Sequence, residues 1–196
     1  MGMWRIALAG DLYTGKTTLA QTLEQRGWHL LDHTGLLKEL GSIALTAAGF
    51  PVTVADIVAN KDHYRLFLQE LGTAVGWDEG AGIRRLLARW EAQGAPEPVV
   101  LESVRTAAQW RILAKAGFGL VRLRIPLTIQ EQRAGQRGVT PTRLQAVNQH
   151  LAESQIPTAK NEIVLSTQNN AGECWLPTEL ASSLENICRI REAEIR

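Results

Sequence analysis

The sequence predicts an α/β fold in which a parallel sheet is covered by helices on both faces. Two observations carry this expectation. Short apolar runs alternate along the chain with longer segments of helical periodicity, and such alternation favours parallel strands joined by crossover helices. Between the first such run and the first such helix, residues 10–17 read Gly-Asp-Leu-Tyr-Thr-Gly-Lys-Thr, a complete G-x-x-x-x-G-K-[ST] loop. Strand, glycine loop and helix start is the order in which backbone N–H groups converge on phosphate oxygens.

The elements follow in order. Met3–Ala9 is apolar with β-branched and aromatic character and reads as a buried strand. Thr17–Gln25 places Leu19 and Leu23 on one side of a helix, and Gly27 closes it as a glycine past a helix end does. Trp28–Asp32 is a short second strand, after which Thr34 can cap a helix through Leu36, Leu37 and Leu40. Gly49-Phe-Pro51 breaks the chain before a polar helix around Lys61–Leu71. In the helix Ile83–Gln93, the spacing of Ile83, Leu86, Leu87 and Trp90 predicts a core-facing stripe. The turn Gly94–Pro98 leads to strand Val99–Leu101, helix Ala107–Ala116 and strand Gly119–Ile125. A basic, glutamine-rich stretch, Gln130–Arg143, precedes a last strand at Glu162–Ser166, a polar loop at Thr167–Gly172 and a helix from Thr178.

Composition bounds the class. A chain of 196 residues, 45% hydrophobic and 21% charged, without repeat or linker, reads as one domain spanning 1–196. A net charge of +1 argues against a protein that coats nucleic acid, although a local basic cleft stays open. Cys174 and Cys188 are too few and too badly spaced for a zinc site or a disulfide framework. The apolar stretch Ser42–Ala59 is interrupted by Gly49, Pro51 and Asp56, so no membrane span or signal peptide is expected, and a cytoplasmic location follows.

Chemistry can then be placed by position. The expected ATP-binding set is Gly10, Asp11, Leu12, Tyr13, Thr14, Gly15, Lys16, Thr17 and Thr18, with Lys16 reaching the β- and γ-phosphates and Thr17 ligating Mg²⁺. Ligands of open α/β sheets lie beyond the carboxyl ends of strands. That rule selects Asp32 after the second strand, and Glu102 and Ser103 after the third. Glu102 is the candidate for organising Mg²⁺. Asp32 either faces an acceptor or caps the following helix. Arg133 and Arg137, four apart and so on one helix face, are expected to close over ATP as a lid, with Arg143 as a third. His29, His33, His63 and His150 show no metal-ligand spacing and receive no ligand role. Asn169-Asn170 is either near the adenine of ATP or simply a polar loop.

Four places in the chain resemble the bacteriophage deoxynucleoside monophosphate kinases, within the wider P-loop nucleoside and nucleotide kinase group. They are the loop Gly10–Thr17, Leu36–Leu40 shortly after Asp32, His63–Thr73, and Val99–Arg105 with its valine-arginine pair. His150–Glu153 adds a fainter match. The resemblance implies a P-loop kinase-like three-layer sandwich with a five-stranded parallel sheet. It also implies an acceptor-binding region at about 32–75, a short lid at about 130–143, and acceptor contacts from Arg65, Gln69 and Arg105. Two departures stand out. Ser103 occupies the place of the usual aspartate, and Thr106–Trp110 lacks the expected proline and acidic residue. Glu102 replaces that aspartate only if the strand end bends, because neighbouring strand residues face opposite ways.

The leading expectation is transfer of the ATP γ-phosphoryl group to a (deoxy)nucleoside monophosphate. A second is transfer to a hydroxyl, of a nucleoside or of 5-hydroxymethyluracil in phage DNA, with Glu102 as the base. A third is a nucleotide-binding regulator without catalysis, for which Ser103 speaks. The partner in the first case is a small nucleotide, with DNA only in the second; a homodimer is left open.

Overall fold

The computed structural model describes residues 4–77, 79–148, 163–166 and 176–195. Elements run β1 (Arg5–Ala9), α1 (Lys16–Gln25), β2 (His29–Leu31), α2 (His33–Ala47), α3 (Val54–Ala59), α4 (Lys61–Ala74) and α5 (Ala81–Ala92). They continue with β3 (Val99–Leu101), α6 (Ala107–Lys115), β4 (Gly119–Arg124), α7 (Leu127–Gly135), α8 (Pro141–Asn148), β5 (Ile163–Ser166) and α9 (Pro177–Ile195). The strands form a parallel sheet in the order β2-β3-β1-β4-β5. β1 lies at its centre, with Ile6 opposite both Val100 of β3 and Gly119 of β4.

The sheet divides the core by strand alternation. On one face Ile6, Leu8, Val100, Val121 and Leu123 pack against Leu19 and Leu23 of α1 and Leu184 of α9. On the other, Ala7, Val99 and Leu101 meet Leu36 of α2, Leu86 and Trp90 of α5 and Leu113 of α6. Successive residues of one strand serve opposite layers, so strands covered on both sides read as unbroken apolar runs. The stripe on α5 is core as expected, with Trp90 only 2% exposed. Truncating such a side chain to Ala typically costs about 3–5 kcal/mol.

Some expectations need correction. The helix after β2 is capped by Asp32 rather than Thr34: Gly35 N–H donates to Asp32 Oδ1 at 2.7 Å, and the Thr34 hydroxyl donates to the same oxygen at 3.0 Å. The break at Gly49–Pro51 is followed by an additional short helix, α3, opened by a capping box in which Thr53 and Asp56 bond each other's backbone. α7 ends at Gly135, so Arg137 lies beyond the helix and does not share a helical face with Arg133. Among the described residues no helix is long and apolar enough to cross a membrane. Cys188 is buried in the core beside α1, while Cys174, Asn169, Asn170 and His150–Glu153 lie outside the described residues.

This topology determines where a site can form. From β1 the chain crosses to β2 and returns to β3 on one side of β1, then passes to β4 and β5 on the other, and this reversal opens a crevice beyond the carboxyl ends of the strands. Gly10, Asp32 and Glu102 each follow directly on a strand at that end.

Candidate functional site

The loop Gly10–Thr17 is shaped by backbone conformations that side chains disfavour. Gly10 has φ +139°, and a Cβ there would collide with the Leu123 carbonyl of the neighbouring strand. Gly15 has φ +94° and opens α1 with no side-chain cap. A helix start without a cap leaves its first N–H groups free for an anion, with the helix dipole adding positive potential. Lys16 Nζ donates to the carbonyls of Gly10 and Asp11, each at 2.6 Å. Thr14, 1% exposed, donates its hydroxyl to Asp11 O at 2.9 Å and braces the turn. Leu12 to Thr18 line a groove of ≈ 570 Å³ that also reaches Glu102, Arg133 and Arg137.

A cluster of oxygens lies at the floor of this groove. The Thr17 hydroxyl donates to Glu102 Oε1 at 2.5 Å. Glu102 can reach it because β3 ends at Leu101: the Glu102 N–H bonds Leu31 O of β2, whereas the Val104 N–H bonds Leu8 O of β1. The strand end bends, and Glu102 rather than Ser103 meets the phosphate loop. Ser103 Oγ, buried, has no hydrogen-bond partner. The Asp32 carboxyl lies beside Glu102. Burial works to raise its pKa, but Lys38 at 4.0 Å, the Gly35 N–H, the Thr34 hydroxyl and Glu102 together hold it below the ordinary value. A hydroxyl and carboxylates are hard oxygen donors of the kind Mg²⁺ takes, and that ion commonly draws its other ligands from phosphates and water. Among the described residues no group of three His, Cys, Asp or Glu side chains is placed to hold a metal without such help.

Side chains of α7 are tied to the main chain of the phosphate loop. From α7, Gln130 Nε2 donates to Leu12 O at 3.0 Å and Arg133 Nη1 to Tyr13 O at 2.9 Å. Arg137, although past the helix end, places its guanidinium 5.5 Å from the centre of the Tyr13 ring. Tyr13 itself has φ 60°, a left-handed conformation unusual for a non-glycine residue. Ala134, Val139 and Leu144 join α7 to α8 in a small core of their own, on which Tyr13 packs. The backbone of Arg143 lies in the first turn of α8, which begins at Pro141.

A further cavity of ≈ 70 Å³ lies between α2 and α4, walled by His33, Leu37, Leu68, Gln69 and Trp77. Thr34, Lys61, Arg65 and Arg105 line both this cavity and the groove beside the phosphate loop. The two spaces therefore meet at a cationic junction. Lys61 records the crowding: burial depresses its pKa, and Lys38, Arg65 and Arg105 depress it further against the opposing pull of Glu102. Gln109, fully buried, stiffens the wall, because its Oε1 accepts from the Arg105 N–H at 2.9 Å while its Nε2 donates to Trp77 O at 3.1 Å.

The structure thus brings the sequence-selected residues Lys16, Thr17, Glu102, Arg65, Arg105, Gln69, Arg133 and Arg137 to two contiguous spaces, with Asp32 beside Glu102 but lining neither. Sequence reasoning missed Lys38, Lys61, His33, Trp77 and Gln109. Lys61 was detectable, since it stands four residues before Arg65 and so on the same face of α4. His33 and Trp77 carried no such signal, because their pairing is a tertiary contact.

No family model matches the chain, and no curated protein sequence matches it. Solved structures do. A gluconokinase from Sinorhizobium meliloti 1021 is similar at 14% identity and a TM-score of 0.54, with 100% of both chains covered. A sugar kinase from Janibacter sp. has 17% identity and a TM-score of 0.51 over 91% of this chain and 90% of its own. A shikimate kinase from Acinetobacter baumannii in complex with shikimate has 19% identity and a TM-score of 0.50 over 97% and 94%. Together with the parallel sheet and its flanking helices, these likenesses show that the chain has the α/β fold of P-loop kinases.

Proposed function

We propose that the protein transfers the γ-phosphoryl group of ATP to a nucleoside monophosphate, giving the diphosphate. The observation that carries this reading is the junction at which Thr34, Lys61, Arg65 and Arg105 border both the phosphate-loop groove and the cavity between α2 and α4. An acceptor whose ring lies in the cavity presents its phosphate to these cations, in line with the γ-phosphate held over Gly15–Thr18. Its phosphate is already ionised near neutral pH, the second pKa being about 6, so positioning and charge neutralisation suffice without a base. One acceptor oxygen bonds to the γ-phosphorus as the bond to the β–γ bridging oxygen breaks, and ADP leaves with that electron pair.

The chain's residues divide this work. The N–H groups at the start of α1 and Lys16 would hold the β- and γ-phosphates once Lys16 exchanges its carbonyl partners for phosphate oxygens. Thr17, with Glu102 behind it, would hold Mg²⁺, whose chemistry when bound is to neutralise charge on those phosphates. Arg133 and Arg137 would stabilise charge spreading over the equatorial oxygens, and Arg65 and Arg105 would clamp the acceptor phosphate. The kinase names of the similar structures accord with phosphoryl transfer and leave the acceptor to experiment.

A second reading, transfer to a hydroxyl, is favoured by one observation. Asp32 is kept below its ordinary pKa beside the junction, with its side chain 44% exposed. Its Oδ1 is taken by the Gly35 N–H and the Thr34 hydroxyl, so Oδ2, 4.0 Å from Lys38 Nζ, would be the atom that accepts a proton from a hydroxyl. An acceptor screen with γ-labelled ATP and Mg²⁺ decides between the readings. It takes the ribo- and deoxynucleoside monophosphates, the nucleosides, small hydroxy acids and DNA containing 5-hydroxymethyluracil. Labelled nucleoside diphosphate is the expected product. Label only on hydroxyl acceptors, lost in Asp32→Asn, would replace the first reading by the second.

A further inference from the structure

We infer that His33 and Gln69 select the acceptor's ring: the inner end of the cavity takes a flat, uncharged ring that carries both a hydrogen-bond donor and an acceptor. This rests on the reading of that cavity as the acceptor site. His33 is 1% exposed, and neither of its ring nitrogens has a hydrogen-bond partner. Gln69 Nε2, in the wall of the same cavity, is likewise buried and unpartnered. Buried polar groups are nearly always paired, so three such atoms around one cavity call for an explanation. A ligand that pairs with them supplies it.

The chemistry of these atoms defines the ligand. A neutral imidazole has one N–H donor and one bare acceptor nitrogen in either tautomer, and a carboxamide nitrogen adds two donors. Burial, with the positive charge of Arg105, pushes the His33 pKa down to about 3, so the ring is neutral at physiological pH. The charges that line the cavity are cationic and act against a cationic ring, whereas a neutral edge with a carbonyl and an N–H or amino group pairs with the uncharged atoms of His33 and Gln69. The shape agrees. His33 stacks on Trp77 with ring centroids 5.1 Å apart and planes at 25°, and Leu37 and Leu68 supply aliphatic surface.

The wall is built to stay in place. A Cβ on Gly82 would collide with the Trp77 indole, so that ring lies directly on the α5 backbone. Trp77 N–H also bonds Gly72 O at 2.8 Å, and Gln109 holds its carbonyl. His33 is therefore presented by a rigid surface, and unpaired polar atoms on a rigid surface discriminate strongly between ligands that pair with them and ligands that do not.

The test compares wild type with His33→Phe, which keeps a stacked ring and removes both nitrogens, and with Gln69→Leu. Turnover is measured over the panel of nucleoside monophosphates, together with the KM for ATP and the melting temperature without ligand. The expected result is a fall in kcat/KM of about tenfold for the preferred base, a comparable narrowing of the ratio between preferred and rejected bases, and an unchanged KM for ATP. The melting temperature should hold or rise, because unpaired buried polar atoms have been removed. A purely structural histidine gives the opposite pattern, a lower melting temperature with base selectivity intact, and that result overturns the inference. If His33→Phe does not fold, unchanged selectivity in Gln69→Leu overturns it. A wild type that neither turns over nor binds any monophosphate, the latter read from Trp fluorescence, removes the acceptor reading and this inference with it.

Discussion

Replacing His33 by Phe removes an acid-induced loss of stability, and the size of that loss follows from the structure. In the folded protein the imidazole titrates at about 3, against 6.5 for the unperturbed group. Between those values the unfolded chain binds a proton that the folded one refuses. Stability is therefore fully present above pH 6.5 and declines as pH falls toward 3. At about 1.4 kcal/mol per pH unit the full interval is worth about 5 kcal/mol, of which about 2 kcal/mol is lost by pH 5. For a domain of this length that corresponds to a fall of roughly 4–8 °C in melting temperature between pH 7.5 and pH 5. Asp32, also held low, responds only as pH drops through the ordinary carboxylate value of 3.8 and below, outside this window. Thermal and urea unfolding of wild type and His33→Phe at pH 7.5 and pH 5 isolate the effect, since every other group is common to both. The expected result is an acid-induced loss in wild type that is smaller by about 2 kcal/mol in the variant. Equal losses in the two proteins would refute a neutral, buried His33.

Other outcomes follow from the same geometry. Lys16→Ala should lower phosphoryl transfer by about 10²–10³-fold while circular dichroism and melting stay near wild type, since its bonds to Gly10 O, Asp11 O and the Thr14 hydroxyl lie within the phosphate loop rather than the core; near-normal turnover would exclude the loop from catalysis. Arg105→Ala should raise the KM for the acceptor by about 10–100-fold with little change in that for ATP, as expected of a ground-state clamp on a charged group. If kcat falls instead, Arg105 acts chiefly in the transition state. Gly82→Ala should cost about 1–3 kcal/mol in urea unfolding through collision with Trp77. It should also weaken the acceptor more than ATP, because Trp77 belongs to one cavity and not the other.

The sheet and the phosphate loop were legible because both are written locally. Ile6, Leu8, Val100 and Leu101 lie in short apolar runs, and Gly10–Thr17 is a contiguous motif between a strand and a helix. The bend after Leu101 was not legible. It depends on Glu102 N–H pairing with β2 while Val104 N–H pairs with β1, a choice between neighbours that sequence does not display. Arg137 failed for a related reason. Helical spacing assumed that α7 continues past Gly135, yet the arginine still reaches Tyr13 from the following turn. The cavity between α2 and α4 was the least legible part. Its walls come from separate segments, and its most informative atoms, on His33 and Gln69, are notable for the partners they lack.

The cationic junction has a kinetic consequence. A concave surface with Lys38, Lys61, Arg65 and Arg105 crowded together focuses its field outward and speeds capture of anions, an effect that salt screens within about 10 Å at 0.1 M. Such a field does not distinguish the incoming anion from the more highly charged product it becomes. On the proposed reaction the groups that speed capture also slow escape, and added salt should pull the two steps apart, lowering kcat/KM while raising kcat if product departure limits turnover.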